Sequence, residues 1–142
     1  MNDPIFFYEH EYYVFSNFSS FMLEWKGKLW PTSEYAYQAE RFEDEGKIRN
    51  MRSSHEAFKF AQDNKNLQVA NWNDIKVGIM KEILKEKVKQ HPYVMKKLLE
   101  SGERELIEDS WRDDFWGWGP NKDGKNMLGK LWMEVRSEIK NL

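Results

Sequence analysis

The spacing of apolar positions changes along the chain, and the changes divide it into short strands followed by helices. Ile5 to Tyr8 and Tyr12 to Val14 are short aromatic or β-branched runs, and each is expected to be a strand. Phe21 to Trp25 and Lys28 to Trp30 flank Lys26-Gly27, a pair suited to a tight hairpin turn. The spacing then turns helical. A helix is expected from about Ser33 to Glu43, and a short one over Lys47 to Arg52. Ser53 followed by Glu56 has the form of a capping box, which predicts a helix to about Asn64 with Ala57, Phe58, Phe60 and Ala61 as its apolar side. Ile75, Ile79, Met80, Ile83, Leu84 and Val88 repeat with helical period, so the longest helix is placed from Asp74 to about Gln90 behind an Asn73 cap. Pro92 suits the first position of the next helix, whose stripe is Val94, Met95, Leu98 and Leu99 and whose end is Gly102. Glu105 to Glu108 reads as a short strand, Asp109 to Lys125 as a loop rich in Gly, Asp, Asn and Trp, and Asn126 to Ile139 as a final helix with Leu128, Leu131, Trp132, Val135 and Ile139 inward. The pattern contains no repeat or linker. It predicts one α+β domain over 1–142, helix-rich, with a small antiparallel sheet.

Composition removes several classes of chemistry. The chain has 142 residues, enough for one domain with a real core. There is no cysteine, which excludes thiol nucleophiles, disulfides and thiolate metal sites. The three histidines, His10, His55 and His91, lie far apart, so neither a zinc site nor a histidine triad has support. A net charge of −2 gives no global basic field for a nucleic acid duplex, although an enzyme reading one modified base remains open. The aromatic fraction is 15%, with seven Trp, which serves a core first and flat ligands second. The N-terminal segment lacks a signal-peptide apolar core and no apolar run would span a membrane, so a cytoplasmic location is expected.

Three segments concentrate candidate chemistry. In Trp30-Pro31-Thr32-Ser33-Glu34-Tyr35-Ala36-Tyr37-Gln38-Ala39, Pro31 ends strand pairing and Thr32 or Ser33 can cap the helix. Glu34 then falls in the first turn, where the helix dipole favours a carboxylate, and Gln38 shares its face one turn on. A pocket for a sugar or a base would use such a group beside tryptophan and tyrosine; an ordinary helix start explains the segment equally simply. Lys76 borders the apolar stripe of the longest helix near its N-terminal end. Partial burial and the dipole both favour a neutral, nucleophilic amine there, against the plainer alternative of a lysine reaching to water. Asp113-Asp114-Phe115-Trp116-Gly117-Trp118-Gly119 sets carboxylates, rings and glycines together, with Gly124, Asn126 and Gly129 at the mouth of the last helix, an anion site in principle. A turn-rich loop with its tryptophans packed inward is the alternative. Asn17, within Phe15-Ser16-Asn17-Phe18, and Glu108 are weaker candidates. The charged run Lys85 to Lys89 reads as a solvated helix face.

These pieces occur in a recognisable order. Phe15-Ser16-Asn17-Phe18, Trp30-Pro31-Thr32-Ser33-Glu34, Tyr37-Gln38-Ala39, Trp72 with Lys76 and Met80, Glu108, Asp113 with Trp116-Gly117 and Gly119, Gly124 with Asn126 and Leu128-Gly129, and Met133 with Val135-Arg136 cover nearly the whole chain. In this the chain resembles the YbiA-like, or NADAR, family. It departs at Tyr35, where the family often has histidine, and at Trp118, where many members have a small or aliphatic residue.

The resemblance implies an N-glycosidase. Two substrate classes go with it: ribosylamino-pyrimidine phosphates of riboflavin synthesis, and guanine carrying ADP-ribose on its exocyclic amine, as made in DNA by DarT-type toxins. Base-linked ADP-ribose removal is widespread in the family, which favours the second. In both classes ribose C1′ is joined to an exocyclic amine, and such a glycosylamine opens to an imine more readily than a nucleoside loses its base. By resemblance Glu34 or Asp113 assists proton transfer, and Lys76 either forms a Schiff base with C1′ or tunes the carboxylates. Trp116, with Trp30 or Trp72, stacks on a base. Asn17 and the Gly117 and Gly119 backbone position sugar and phosphates, and Phe18, Gln38, Glu108, Asn126 and Gly129 complete the binding set. No metal or redox cofactor is implied. Lys122, Lys125 and Lys130 are candidates for DNA phosphate contacts. A non-catalytic binder of ADP-ribose or nucleotides, and an antitoxin acting by contact with a toxin partner, are the alternatives of different class.

Overall fold

The structure, a computed structural model, describes residues 3–142. It is α+β and helix-rich, and the contacts of the described residues divide it into two compact units, 17–90 and 3–16 with 91–142.

The first of these units is a hairpin followed by four helices. β2 (Leu23–Trp25) and β3 (Lys28–Trp30) pair antiparallel with Leu23 opposite Trp30. Their two-residue turn has positive φ at both Lys26 (51°) and Gly27 (81°), the left-handed geometry that matches the twist of a hairpin. α1 (Ser33–Arg41), α2 (Gly46–Arg49), α3 (Ser54–Asp63) and α4 (Trp72–Gln90) follow. α1 packs on both α3 and α4, and its buried side holds Tyr35, Ala36, Tyr37 and Ala39. Ser53 caps α3 by accepting from the Glu56 N–H at 3.1 Å, while the Glu56 carboxylate accepts from the Arg52 N–H. The capping box is therefore present, shifted by one residue on its return bond.

The other unit is built on a parallel pair. β1 (Ile5–Phe7) lies beside β4 (Leu106–Glu108) with Ile5 opposite Leu106. Ile5 and Phe7 are buried and Phe6 is exposed, the alternation of a strand with one covered face. α5 (Pro92–Glu100) starts at Pro92 and ends before Gly102, whose φ is +63°. α6 (Met127–Lys140) brings Leu128, Leu131, Trp132 and Val135 into the core, and the Trp132 indole donates to the Phe15 carbonyl at 2.9 Å. Arg136, also buried, donates to the Ser101 hydroxyl at 2.8 Å and ties α6 to the end of α5.

Four expectations differ from the structure. Tyr12 to Val14 is not a strand but part of a 3-10 helix, His10–Phe15. Residues three apart eclipse in that geometry, and Tyr12 and Phe15 stack with centroids 6.0 Å apart. The antiparallel hairpin is accompanied by a parallel pair whose strands are far apart in sequence, a pairing no local pattern announces. α4 begins at Trp72 rather than after Asn73, because the Val69 and Asn71 carbonyls accept from the Trp72 and Asp74 N–H groups. The run Lys85 to Lys89 is not uniformly solvated: Lys87 is fully buried, donating to the Ser19 hydroxyl at 3.0 Å and lying 5.5 Å from the Phe21 ring centre.

Candidate active site

In the unit formed by 17–90, α1 organises the polar groups. Thr32, not Ser33, is the cap, its hydroxyl accepting from the Tyr35 N–H at 3.3 Å. The Glu34 N–H is met by the Asn17 carbonyl at 3.0 Å, and the Ser33 hydroxyl donates to the Asn17 side-chain oxygen at 2.9 Å. The Asn17 amide in turn donates to the Met80 sulfur at 3.4 Å. Asn17 thus joins the start of α1 to α4, one turn from Lys76. Glu34 is buried, 5% exposed, and its Oε2 accepts from the Gln38 amide at 2.7 Å. Arg41 continues the row one turn further. It is buried, donates to Gln38 at 3.5 Å and to Gln68 at 2.9 Å, and burial lowers its pKa against the opposing pull of Tyr37 and Glu34. The spacing 34, 38, 41 on one helix face was the signal for Arg41, which the sequence reading passed over.

Lys76 is half-buried between Trp72 and Met80 on α4. With the helix starting at Trp72 it stands in the second turn, so the dipole acts on it less than a first-turn position would feel. Trp72 and Trp30 are not open platforms. Trp72 is 2% exposed and packs against the Tyr37 ring at 5.1 Å, with the Arg41 guanidinium 6.0 Å from its centre. Trp30 is 1% exposed, its indole directed to the Trp25 carbonyl at 3.4 Å and Arg49 lying over it at 4.8 Å. Stacking on a base by either would require breaking these contacts. Phe18, by contrast, is exposed and packs against Phe58 at 6.3 Å.

The 109–126 loop belongs to the other unit and largely satisfies itself. Asp113 Oδ1 accepts from the Phe115 and Trp116 N–H groups at 2.9 and 2.8 Å, which makes that oxygen the brace of the loop. Trp116 is half-buried, edge-on to Phe115 at 4.9 Å, and Trp111, outside the sequence-derived set, is the most open ring, with Arg112 at 4.8 Å. The carbonyls of Gly117, Phe115 and Trp116 accept from the N–H groups of Asn126, Met127 and Leu128 at 2.9, 2.9 and 3.0 Å. These three donors at the start of α6 are therefore committed to the loop. Gly119 has φ +74° and sits so near Asp114 that a Cβ would lie 2.7 Å from that side chain. Asn126 and Gly129 both stand against β4. The Asn126 amide donates to the Leu106 carbonyl and its oxygen accepts from the Glu108 N–H, both at 2.9 Å, so it completes the outer edge of β4. A Cβ on Gly129 would lie 2.0 Å from the Leu106 carbonyl oxygen, which is how closely α6 crosses β4. Glu108 is half-buried on that strand, its carbonyl accepting from the Trp118 N–H at 3.2 Å.

The 17–90 unit holds Asn17, Glu34, Gln38, Arg41 and Lys76, and the other unit holds Glu108, Asp113 and Trp116. The NADAR domain family matches residues 6–140 of this chain. The chain belongs to the NADAR family. The N-glycosidase YbiA of Escherichia coli is 36% identical over 132 residues, which are 91% of this chain and 82% of that protein. A riboflavin biosynthesis protein of Vibrio vulnificus is 35% identical over 98% of this chain, and the match spans 39% of that longer protein. The NMR structure of E. coli YbiA superposes with a TM-score of 0.89 at 33% identity, covering 99% of this chain and 88% of that one. An N-glycosyl hydrolase activity goes with NADAR membership at this level of similarity.

Tyr35 and Trp118 are both held by contacts within the fold. Tyr35 is buried, donates to the Met51 carbonyl at 2.6 Å, and has a pKa raised by burial and then by Glu56. It braces α1 against the segment before α3. Trp118 packs on Phe6 at 4.9 Å, donates to Asp109 at 2.9 Å and carries Lys122 at 5.8 Å, while Lys125 lies 5.7 Å from Phe115. Among the described residues no group of three metal-ligating side chains occurs and no helix is long and apolar enough to cross a membrane.

Proposed function

We propose that this NADAR N-glycosidase cleaves the bond between ribose C1′ and the exocyclic amine of guanine, removing ADP-ribose from ADP-ribosylated guanine, in DNA or as the free nucleotide. The observation that carries the reading is Glu34, a buried carboxylate that accepts from the Gln38 amide at 2.7 Å in the first turn of α1. Such a group can give and retake one proton beside a sugar carbon. Asp113 has one oxygen committed to two backbone donors, so its part is to hold the loop that carries Trp116.

In the proposed sequence the glycosylamine ring opens to an imine at C1′. The Lys76 amine, in its neutral form, adds to C1′. The bond from C1′ to the guanine amine then breaks, its electron pair staying on that nitrogen, which takes a proton from Glu34. Water adds to the resulting lysine imine and gives its proton back to Glu34. The carbinolamine collapses to free ADP-ribose and the lysine amine. Atoms and electrons balance without an oxidant or reductant. Borohydride added during turnover is expected to trap ADP-ribose on Lys76 in wild type. Undiminished turnover by Lys76→Ala overturns the lysine step.

The Vibrio vulnificus relative carries a second reading, a ribosylamino-pyrimidine phosphate as substrate, since its name ties the shared segment to riboflavin synthesis. The reacting bond is of the same kind. Parallel assays on ADP-ribosylguanine and on the ribosylamino-pyrimidine phosphate separate the two by kcat/KM.

A further inference from the structure

A cleft of about 530 Å³ lies wholly within 17–90, lined by Phe18, Ser20, Met22, Thr32, Arg52 and His55, with Pro31, Tyr35, Ser53 and Ser54 completing its wall. Its size is that of a small-ligand site. Its lining is chemically mixed. Phe18 and Met22 expose 43% and 51% of their surface, although both are large apolar side chains flanked by a core that holds Leu23 and Trp30 fully covered. The same lining includes a guanidinium and an imidazole, Arg52 and His55, whose side chains have no partner among the described residues. Two of its hydroxyls are linked to one another, Thr32 and Ser54 at 2.6 Å.

An exposed aromatic ring, a forked cation and hydroxyls lining one cleft suit one kind of ligand, a flat base carrying a phosphate. Stacking on a phenyl ring is worth roughly 1–3 kcal/mol per base, and a guanidinium binds phosphate through paired donors. Thr32 is the cap of α1 and stands two residues before Glu34 in the chain. We infer that this cleft is a nucleotide subsite, holding a base on Phe18 and a phosphate at Arg52, apart from the sugar carbon that reacts. The inference rests on the proposed substrate class only for which nucleotide occupies it. Two sources carry this chemistry: the adenylate end of ADP-ribose itself, and the nucleotide next to the modified guanine in a strand.

Calorimetric titration with adenosine 5′-monophosphate tests the cleft without any turnover. Wild type is expected to bind it at least tenfold more tightly than adenosine or inorganic phosphate. Arg52→Ala is expected to weaken that binding tenfold or more. Lys59→Ala, which removes the same charge from α3 outside the cleft, is expected to match wild type. Phe18→Leu, which keeps the packing on Phe58, is expected to lose affinity for the monophosphate but none for inorganic phosphate. Binding of the monophosphate that Arg52→Ala leaves unchanged overturns the assignment, as does its absence at millimolar concentration. Kinetics on ADP-ribosylguanosine and on an ADP-ribosylated oligonucleotide then identify the occupant. A rise in KM for both with Arg52→Ala supports the adenylate of ADP-ribose; a rise for the oligonucleotide alone supports the neighbouring nucleotide; no rise for either counts against the subsite. Monophosphate binding without turnover of either substrate sinks the proposed substrate and leaves the cleft standing.

Discussion

Replacing Lys87 by Met removes an amine that burial pushes down from 10.5 to about 7. The folded chain therefore holds this proton less tightly than the unfolded chain, where the amine titrates at its ordinary 10.5. Unfolding takes up a proton between these values, so stability rises with pH from about 7 to 10.5 and is lowest below 7, where both states are charged. At pH 7 the two states differ by about half a proton on this group and at pH 8.5 by nearly one, which amounts to roughly 1.6 kcal/mol of added stability over that interval. Lys87→Met is flat in this respect. It forfeits the bond to Ser19 but no longer buries an amine that must shed or hide its charge, an exchange that is often neutral or favourable. Urea unfolding of both proteins at four pH values from 7.0 to 8.5, followed by tryptophan fluorescence, gives the comparison. The wild type is expected to gain on Lys87→Met by about 1.6 kcal/mol across the series. Parallel pH profiles would refute the burial argument, because they would mean that Lys87 keeps its charge and reaches water.

Other expectations follow from single contacts. Glu34→Gln is expected to lower kcat by about 10² to 10⁴ with an unchanged melting temperature, the usual span for a lost proton-transfer group. Asp113→Asn preserves the oxygen that accepts from Phe115 and Trp116, so it is expected to retain far more turnover than Asp113→Ala; equal losses in the two would place Asp113 in the chemistry instead. Gly129→Ala forces a methyl against the Leu106 carbonyl and is expected to cost about 1–3 kcal/mol, read as a drop in melting temperature. Asn126→Ala strips two bonds from β4 and is expected to cost a similar amount, about 1–3 kcal/mol for each polar group left unsatisfied, with stability rather than KM as the quantity that moves. If Lys122, Lys125 and Lys130 touch DNA phosphates, turnover of modified DNA will fall with added salt more steeply than turnover of the free nucleotide.

Local signals served well where the physics is local. The Ser53–Glu56 cap, Pro92 at a helix start and Lys26-Gly27 in a hairpin each act within four residues, and each is where the spacing put it. The pairing of β1 with β4 and the 3-10 turn at His10–Phe15 depend on partners elsewhere in the chain, and short apolar runs do not specify them. The same division applies to the candidate site. Glu34 and Gln38 were legible because one helical turn joins them. Trp30 and Trp72 looked like platforms because a sequence does not say which ring faces are covered, here by Arg49, Tyr37 and Arg41. Asn126 and Gly129 carry a motif in common with the NADAR family, yet their geometry answers to β4. Lys87 was hidden among exposed lysines, since a buried amine and a solvated one have the same neighbours in sequence.

The most direct measurement is product analysis after incubation of the protein in H₂¹⁸O with an ADP-ribosylated guanine oligonucleotide. The proposed route predicts free ADP-ribose labelled with one ¹⁸O at C1′ and an oligonucleotide whose guanine amine is restored, with Glu34→Gln forming both more slowly by about 10² or more. An untouched oligonucleotide, alongside rapid hydrolysis of the ribosylamino-pyrimidine phosphate, would contradict it.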